Sequence, residues 1–156
     1  MTHVRPEPDA RGMRFCLVAA QWNEAYVTRL VDAALDVLQR RGAAAADLEV
    51  RWVPGSFELP VAARWAAESG RFDAVLAFGC VIRGETEHFR LVADAAAHGL
   101  MRVALDTGVP VLHGVLAAYD AEQAAARSGG DHGNTGAEVA LAAAHMAALR
   151  RAGGPR

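Results

Sequence analysis

Apolar and polar positions along this chain follow two rhythms. Short, nearly continuous apolar runs occupy 13–20, 48–53, 74–82 and 109–116, and between them come longer stretches with apolar residues at helical spacing. Runs of that length, bounded by glycine, proline or charge, suit strands of a parallel sheet covered on both faces. The first helical stretch is 24–41, with Val27, Leu30, Val31, Ala34, Leu35 and Leu38 on one face and Gly42 past its end. The second is 57–69, with Pro60 tolerable in its first turn and Gly70 behind it. After the third strand Phe89, Val92, Ala93, Ala96 and Leu100 mark another helix, followed by a short helix at 120–128 and a last one at 137–151. This alternation predicts an α/β fold: a single-domain, three-layer αβα sandwich around a four-stranded parallel sheet, flavodoxin-like in class.

The last helix adds a prediction about assembly. Between Glu138 and Arg150 its only non-apolar side chain is His145, and alanine dominates. A helix apolar all round needs cover on more than one side. In a chain of 156 residues a partner subunit is the natural source of that cover, which predicts a homo-oligomer.

Composition narrows the class. At 16.5 kDa the chain suits one domain, here 12–151, with flexible ends expected at 1–11 and 152–156. The N-terminal stretch is polar, holds Pro6 and Pro8, and lacks the apolar core of a signal peptide. The apolar runs are too short, and too often broken by charge, to span a bilayer. The net charge is −2, and the 16 basic residues, all arginine, are scattered, so nucleic acid and anionic membrane surfaces are not expected partners. Cys16 and Cys80 lie inside apolar runs without metal spacing, which reads as two reduced core thiols in a cytoplasmic protein.

Chemistry is expected where strands give way to helices, because parallel sheets open the carboxyl ends of their strands onto a ligand crevice. The most informative junction is Gly79-Cys-Val-Ile-Arg-Gly-Glu-Thr-Glu-His-Phe89, where an apolar run breaks at glycine into ionisable residues. His88, in the first turn of the following helix, is of the type that exchanges protons near neutral pH. Glu85, Thr86 and Glu87 fall where the helix start and its cap would lie. The two acids read as structural there, since they would repel an incoming phosphate, while the backbone amides of 85 and 86 could hold an anion given a cation nearby.

The other junctions are open to two readings each. After the first strand, Trp22 either stacks a flat ring or packs in the core, and Asn23 is placed to cap the helix. In Val53-Pro-Gly-Ser-Phe-Glu58, Gly55 and Ser56 either aim backbone amides at a ligand beside the aromatic wall of Phe57 or form a plain turn. Beyond His113-Gly114, Arg127 ends a short helix, either as a phosphate-gripping fork or as an ordinary C-terminal cation. The stretch 130–136 matches neither a dinucleotide fingerprint nor a P-loop and reads as a flexible inter-helix connection. No H-E-x-x-H, paired C-x-x-C or G-x-S-x-G is present, and His132 with Glu85, Glu87 and His88 lacks convincing ligand spacing, so zinc hydrolysis and nucleophile-elbow chemistry lack support and no metal is expected.

Assembled in order, these segments resemble the lumazine synthase family. The resemblance is carried by Trp22-Asn23, Val53-Pro-Gly-Ser-Phe-Glu-Leu-Pro60, the 79–89 segment, Pro110-Val-Leu-His-Gly-Val-Leu116, Glu122-Gln-Ala-Ala-Ala-Arg127 and Gly133-Asn-Thr-Gly-Ala-Glu138. It implies a cofactor-free condensation of 5-amino-6-(D-ribitylamino)uracil with 3,4-dihydroxy-2-butanone 4-phosphate in riboflavin biosynthesis. By position it implies Trp22 stacked on the pyrimidine, and Ser56, Phe57, Glu58, Cys80, Val81 and Ile82 holding uracil and ribityl chain. Glu85 and Thr86 with Arg127 would receive phosphate, and His88 would transfer protons. Asn23, His113 and Glu138 join the substrate-binding set. It also implies pentamers whose sites are completed by a neighbour's Arg127, His113 and last helix, and the compact 127–138 stretch points to a sixty-subunit shell. Three departures stand out: Trp22 and His113 where Phe is usual, and Thr135 where Lys is common. They keep an alternative open, a catalytically weak paralogue that binds flavin or lumazine or forms a shell. A flavodoxin-like carrier is disfavoured, because no Ser/Thr-rich phosphate loop follows the first strand.

Overall fold

The structure is a computed structural model that describes residues 1–153. In chain order it runs β1 (Phe15–Ala20), α1 (Glu24–Arg40), β2 (Leu48–Val53), α2 (Leu59–Glu68), β3 (Ala74–Ile82), α3 (His88–Thr107), β4 (Val111–Ala118), α4 (Ala121–Arg127), β5 (Ser128–Gly130), β6 (Gly133–Asn134) and α5 (Thr135–Gly153). The four main strands form one parallel sheet in the order β2-β1-β3-β4. All six residues of β1 and the first seven of β3 are buried, as central strands covered on both faces require.

Strand alternation divides the core in two. Phe15, Leu17 and Ala19 of β1 join Leu76 and Phe78 of β3 against α1 and α5, through Val27, Leu30, Ala34, Val139, Ala140 and Ala143. Cys16, Val18 and Ala20 join Val75 and Ala77 against α2 and α3, through Leu59, Ala62, Ala63, Ala96 and Leu100. The result is the expected αβα sandwich. From β1 the chain steps outward to β2 and then returns to the other side of β1, so the connections leaving β1 and β3 diverge and open a crevice between them.

Several boundaries differ from the sequence expectation for identifiable reasons. The first strand begins at Phe15, because Met13 N–H closes the turn at Arg11–Gly12 by donating to Ala10 O (3.2 Å) and Arg14 N–H donates to Asp73 Oδ2 (2.8 Å). The fourth strand is shifted from 109–116 to Val111–Ala118. Pro110 has no N–H to give the ladder, so its carbonyl accepts Val75 N–H (2.8 Å) and pairing proper starts after it. Residues 56–58 form a 3₁₀ turn before α2, with Pro60 in that helix's first turn. The stretch 130–136 is not a flexible connection: β5 and β6 pair antiparallel across it, and Asn134 Oδ1 accepts Gly136 N–H (2.8 Å) at the start of α5.

In the single chain α5 is covered on one side only. Val139, Ala140, Ala143, Ala144 and Ala147 are buried, whereas Ala142 and Met146 face outward. At the other end of the chain, residues 1–8 form no helix or strand, while Ala10 is buried and its N–H reaches Arg41 O (3.0 Å). Of the C-terminal end expected at 152–156, residues 154–156 lie outside the described residues. Among the described residues no helix is long and apolar enough to cross a membrane.

Candidate active site

At the carboxyl ends of β1, β2 and β3 the chain encloses a cavity of about 710 Å³. It is lined by Trp22, Asn23, Gly55, Ser56, Phe57, Glu58, Cys80, Val81, Ile82, His88, Leu91 and Val92. Nine residues expected from sequence therefore converge: Trp22, Asn23, Ser56, Phe57, Glu58, Cys80, Val81, Ile82 and His88. Trp22 is 74% exposed and Phe57 64%, which removes the reading of Trp22 as core and leaves two aromatic faces free at the mouth. Exposed rings beside a largely apolar cavity are what a flat, amphipathic ligand needs.

The walls are held by backbone hydrogen bonds between strand ends. Gln21 N–H donates to Val53 O (2.9 Å) and Trp22 N–H to Pro54 O (3.2 Å), tying the loop after β1 to the loop after β2. Glycine eases the close approach there. A Cβ at Gly55 would come within 3.2 Å of Trp22 Cδ1 and of Glu58 Oε2, so the bare backbone lets the indole and the carboxylate lie beside the turn. On the floor, a Cβ at Gly79 would overlap Ser56 Oγ, and Ser56 is buried against that position.

Asn23 corrects an expectation. It sits at the N-cap of α1, but its side chain makes no cap hydrogen bond; Nδ2 donates instead to Cys80 O at 2.8 Å. Cys80 itself is buried, and burial pushes its thiol up from 9.0 to about 11, so it is not a thiolate near neutral pH. Its contribution to the cavity is backbone and bulk.

His88 opens α3. Its N–H donates to Thr86 Oγ1 (3.3 Å), and Glu87 occupies the N-cap without a side-chain cap hydrogen bond. The 83–87 loop is anchored at its base, where Arg83 N–H donates to Ala118 O (2.9 Å) and the Arg83 guanidinium lies 5.7 Å from the centre of the Tyr119 ring. Tyr119 in turn meets Phe89 edge-to-face at 6.2 Å. Leu91 and Val92, one and one-plus turns along α3 from His88, complete the wall. Sequence reading did not single them out as site residues. The i, i+3, i+4 stripe His88–Leu91–Val92 was the available signal, since Leu91 lies off the core face and is exposed.

The five other expected positions lie elsewhere on the chain. Glu85 and Thr86 are exposed on the loop and do not line the cavity. Arg127 lines a second cavity of about 620 Å³ with Arg29, Asp120, Gln123 and His132. Its guanidinium reaches only Gln123 O (3.4 Å) and forms no ion pair among the described residues. Glu138 is exposed in the first turn of α5. His113 is on edge strand β4, paired with Ala77. Although the residue is exposed, enough of its ring is covered that desolvation holds its pKa below the ordinary 6.5, with a hydrogen bond to its own backbone opposing. No group of three or more His, Cys, Asp or Glu forms a metal cluster among the described residues.

Residues 12–151 match the family described as 6,7-dimethyl-8-ribityllumazine synthase. The chain is 47% identical over 149 residues to the 6,7-dimethyl-8-ribityllumazine synthase of Xanthomonas oryzae pv. oryzae (strain PXO99A), covering 96% of this chain and 97% of the relative. It is 52% identical over 136 residues to the protein of that name from Stenotrophomonas maltophilia (strain R551-3), covering 87% and 88%. The corresponding protein of Xanthomonas campestris pv. campestris (strain B100) is 46% identical over 149 residues.

Proposed function

We propose, from the premise that this chain belongs to the 6,7-dimethyl-8-ribityllumazine synthase family, how its residues share out that family's reaction. The chain is a transferase of riboflavin biosynthesis, condensing 5-amino-6-(D-ribitylamino)uracil with 3,4-dihydroxy-2-butanone 4-phosphate to 6,7-dimethyl-8-ribityllumazine, phosphate and water. One observation carries the assignment of residues: the carboxyl ends of β1, β2 and β3 bring Trp22, Ser56 to Glu58, Cys80 to Ile82 and His88 around one cavity.

The pyrimidine lies against Trp22. Ser56, Phe57 and Glu58 with the backbone of Cys80, Val81 and Ile82 take its polar edge and the ribityl chain, and Asn23 borders that seat. The substrate amine attacks the ketone, a C–N bond forms, and water leaves to give an imine. Loss of phosphate then breaks its C–O bond and leaves an enol that tautomerises to a carbonyl, and the second nitrogen adds to that carbonyl and expels a second water, closing the new ring. Each stage moves a proton, which His88 at the cavity wall can give and take, an effect of about 10²–10⁴-fold for a positioned acid–base group. Holding two small molecules side by side removes much of the entropic barrier. These steps call on no metal or cofactor.

Phosphate is the remaining demand. Glu85 and Thr86 offer backbone amides at the start of α3, and a cation is needed opposite them. Family membership supports a neighbouring subunit as the source of the Arg127, His113 and Glu138 that serve a given site, in keeping with Arg127 facing another cavity of its own chain. Family membership supports a homo-oligomer of pentamers, which would cover the exposed side of α5, and the compact 127–138 connection favours a sixty-subunit shell. Light scattering reads the choice directly, a particle of pentamer mass excluding the shell. The protein works in the cytoplasm. Incubating it with both substrates and following lumazine absorbance and fluorescence tests the reaction; no product above the uncatalysed rate would reject it.

A further inference from the structure

We infer that Asn23 is a positioning residue that sets the width of the pyrimidine slot by tying the Trp22 loop to the carbonyl of Cys80; this rests on the proposed reaction. Asn23 has φ 59° and ψ 38°, and it is the one non-glycine with positive φ among the described residues. An L-residue in that left-handed region is strained by roughly 1–2 kcal/mol, and asparagine is one of the few side chains that tolerates it. The strain has a geometric result. The backbone carbonyl of Asn23 still starts α1, accepting from Tyr26 N–H (3.0 Å) and Val27 N–H (3.3 Å), while its amide is turned away from the helix towards β3.

That amide completes a brace across three strand ends. On one side Gln21 and Trp22 donate to Val53 O and Pro54 O beyond β2; on the other Asn23 Nδ2 donates to Cys80 O, 57 residues away, near the end of β3. Trp22 lies between the two attachments. The opposite wall is Cys80 to Ile82, so the Asn23–Cys80 bond fixes the spacing between the ring that stacks and the backbone that holds the polar edge. It also occupies the Cys80 carbonyl and directs substrate to the groups beyond it. A residue required only to begin α1 would not need a donor: aspartate serves that role as well or better beside the positive helix end.

The contrast between Asn23→Asp and Asn23→Gly separates the two roles. Glycine adopts positive φ without strain but loses the tie, and it keeps the variant folded. Aspartate keeps size and tolerance of the left-handed region, but sets an acceptor against an acceptor at Cys80 O. The measurements are the thermal midpoint, KM for the ribitylaminouracil against kcat, and time-resolved fluorescence anisotropy of Trp22 in a Trp52→Phe/Trp65→Phe background. With the tie in force, Asn23→Gly raises KM for the pyrimidine about five- to tenfold with kcat little changed, the size expected for one lost hydrogen bond. Asn23→Asp is worse than Asn23→Gly, and both loosen Trp22. If Asn23→Asp equals the starting protein in KM and in Trp22 anisotropy, Asn23 merely starts the helix and the inference fails. The anisotropy needs no substrate, so it judges the tie even if the starting protein forms no lumazine, a result that would reject the proposed reaction alone.

Discussion

Trp22 and Arg127 open onto separate cavities of the same chain. If one reaction uses both, the arginine reaches the tryptophan's cavity from a second copy. Co-expressing His88→Ala and Arg127→Ala chains at equal levels should then give, at butanone phosphate concentrations well below the raised KM of Arg127→Ala, more activity than either homogeneous variant, reaching about a quarter of the unsubstituted level when subunits mix at random in a closed ring. Absence of any recovery in verified mixed particles would mean that each site is built from one chain.

The two variants should also differ in kind. In the proposed role of proton carrier, His88→Ala should lower kcat by about 10²-fold or more with KM nearly unchanged. In the proposed role of phosphate partner, Arg127→Ala should raise KM for the butanone phosphate about 10- to 100-fold. Steady-state kinetics with each substrate varied in turn distinguishes them, and equal small losses in both would contradict the assigned roles.

Gly79→Ala tests the cavity floor. Its new Cβ overlaps Ser56 Oγ, so the serine must move, at a cost of about 1–3 kcal/mol typical of overpacking. Adding Ser56→Ala should recover most of that stability in thermal or urea unfolding without restoring pyrimidine affinity, because the hydroxyl is gone. Independent, additive effects of the two substitutions would show that the residues do not press on one another.

Cys80 should be chemically quiet. With its thiol pushed up to about 11, reaction with iodoacetamide at pH 8 is slow and speeds up only as pH rises through 9 towards 11. The sign for stability follows from a folded value above the ordinary 9.0: the contribution is present below pH 9 and is lost as pH rises through 11. Cys80→Ala should keep kcat within a few-fold; a loss comparable to that of His88→Ala would give the thiol a catalytic role.

His113 should make the fold acid-sensitive in a defined direction. Its pKa is lowered from 6.5 by desolvation, so the folded state favours the neutral ring. That stability is present above pH 6.5 and is lost as pH falls towards the lower folded value, since the unfolded chain takes up the proton first. In thermal melts from pH 7.5 to 5, His113→Phe should fall off less steeply than the unsubstituted protein. Parallel curves would remove His113 as the source.

The sequence by itself determined the main strands and helices and most of the residues that line the cavity. Continuous apolar runs and 3.6-residue spacing are local properties, so β2 and β3 were legible to the residue and α1 to within one, and the junction motifs with their resemblance identified the family. Tertiary structure alone decided which junctions meet. The order β2-β1-β3-β4 opens a crevice beside β1 and gathers Trp22, Ser56 and His88 there, while leaving Arg127 and His113 outside it. It also turned Asn23 from a helix cap into a cross-strand tie and folded 128–134 into a hairpin. Such pairings depend on partners as far as 57 residues away, and a local pattern carries no information about which distant carbonyl a side-chain donor will find.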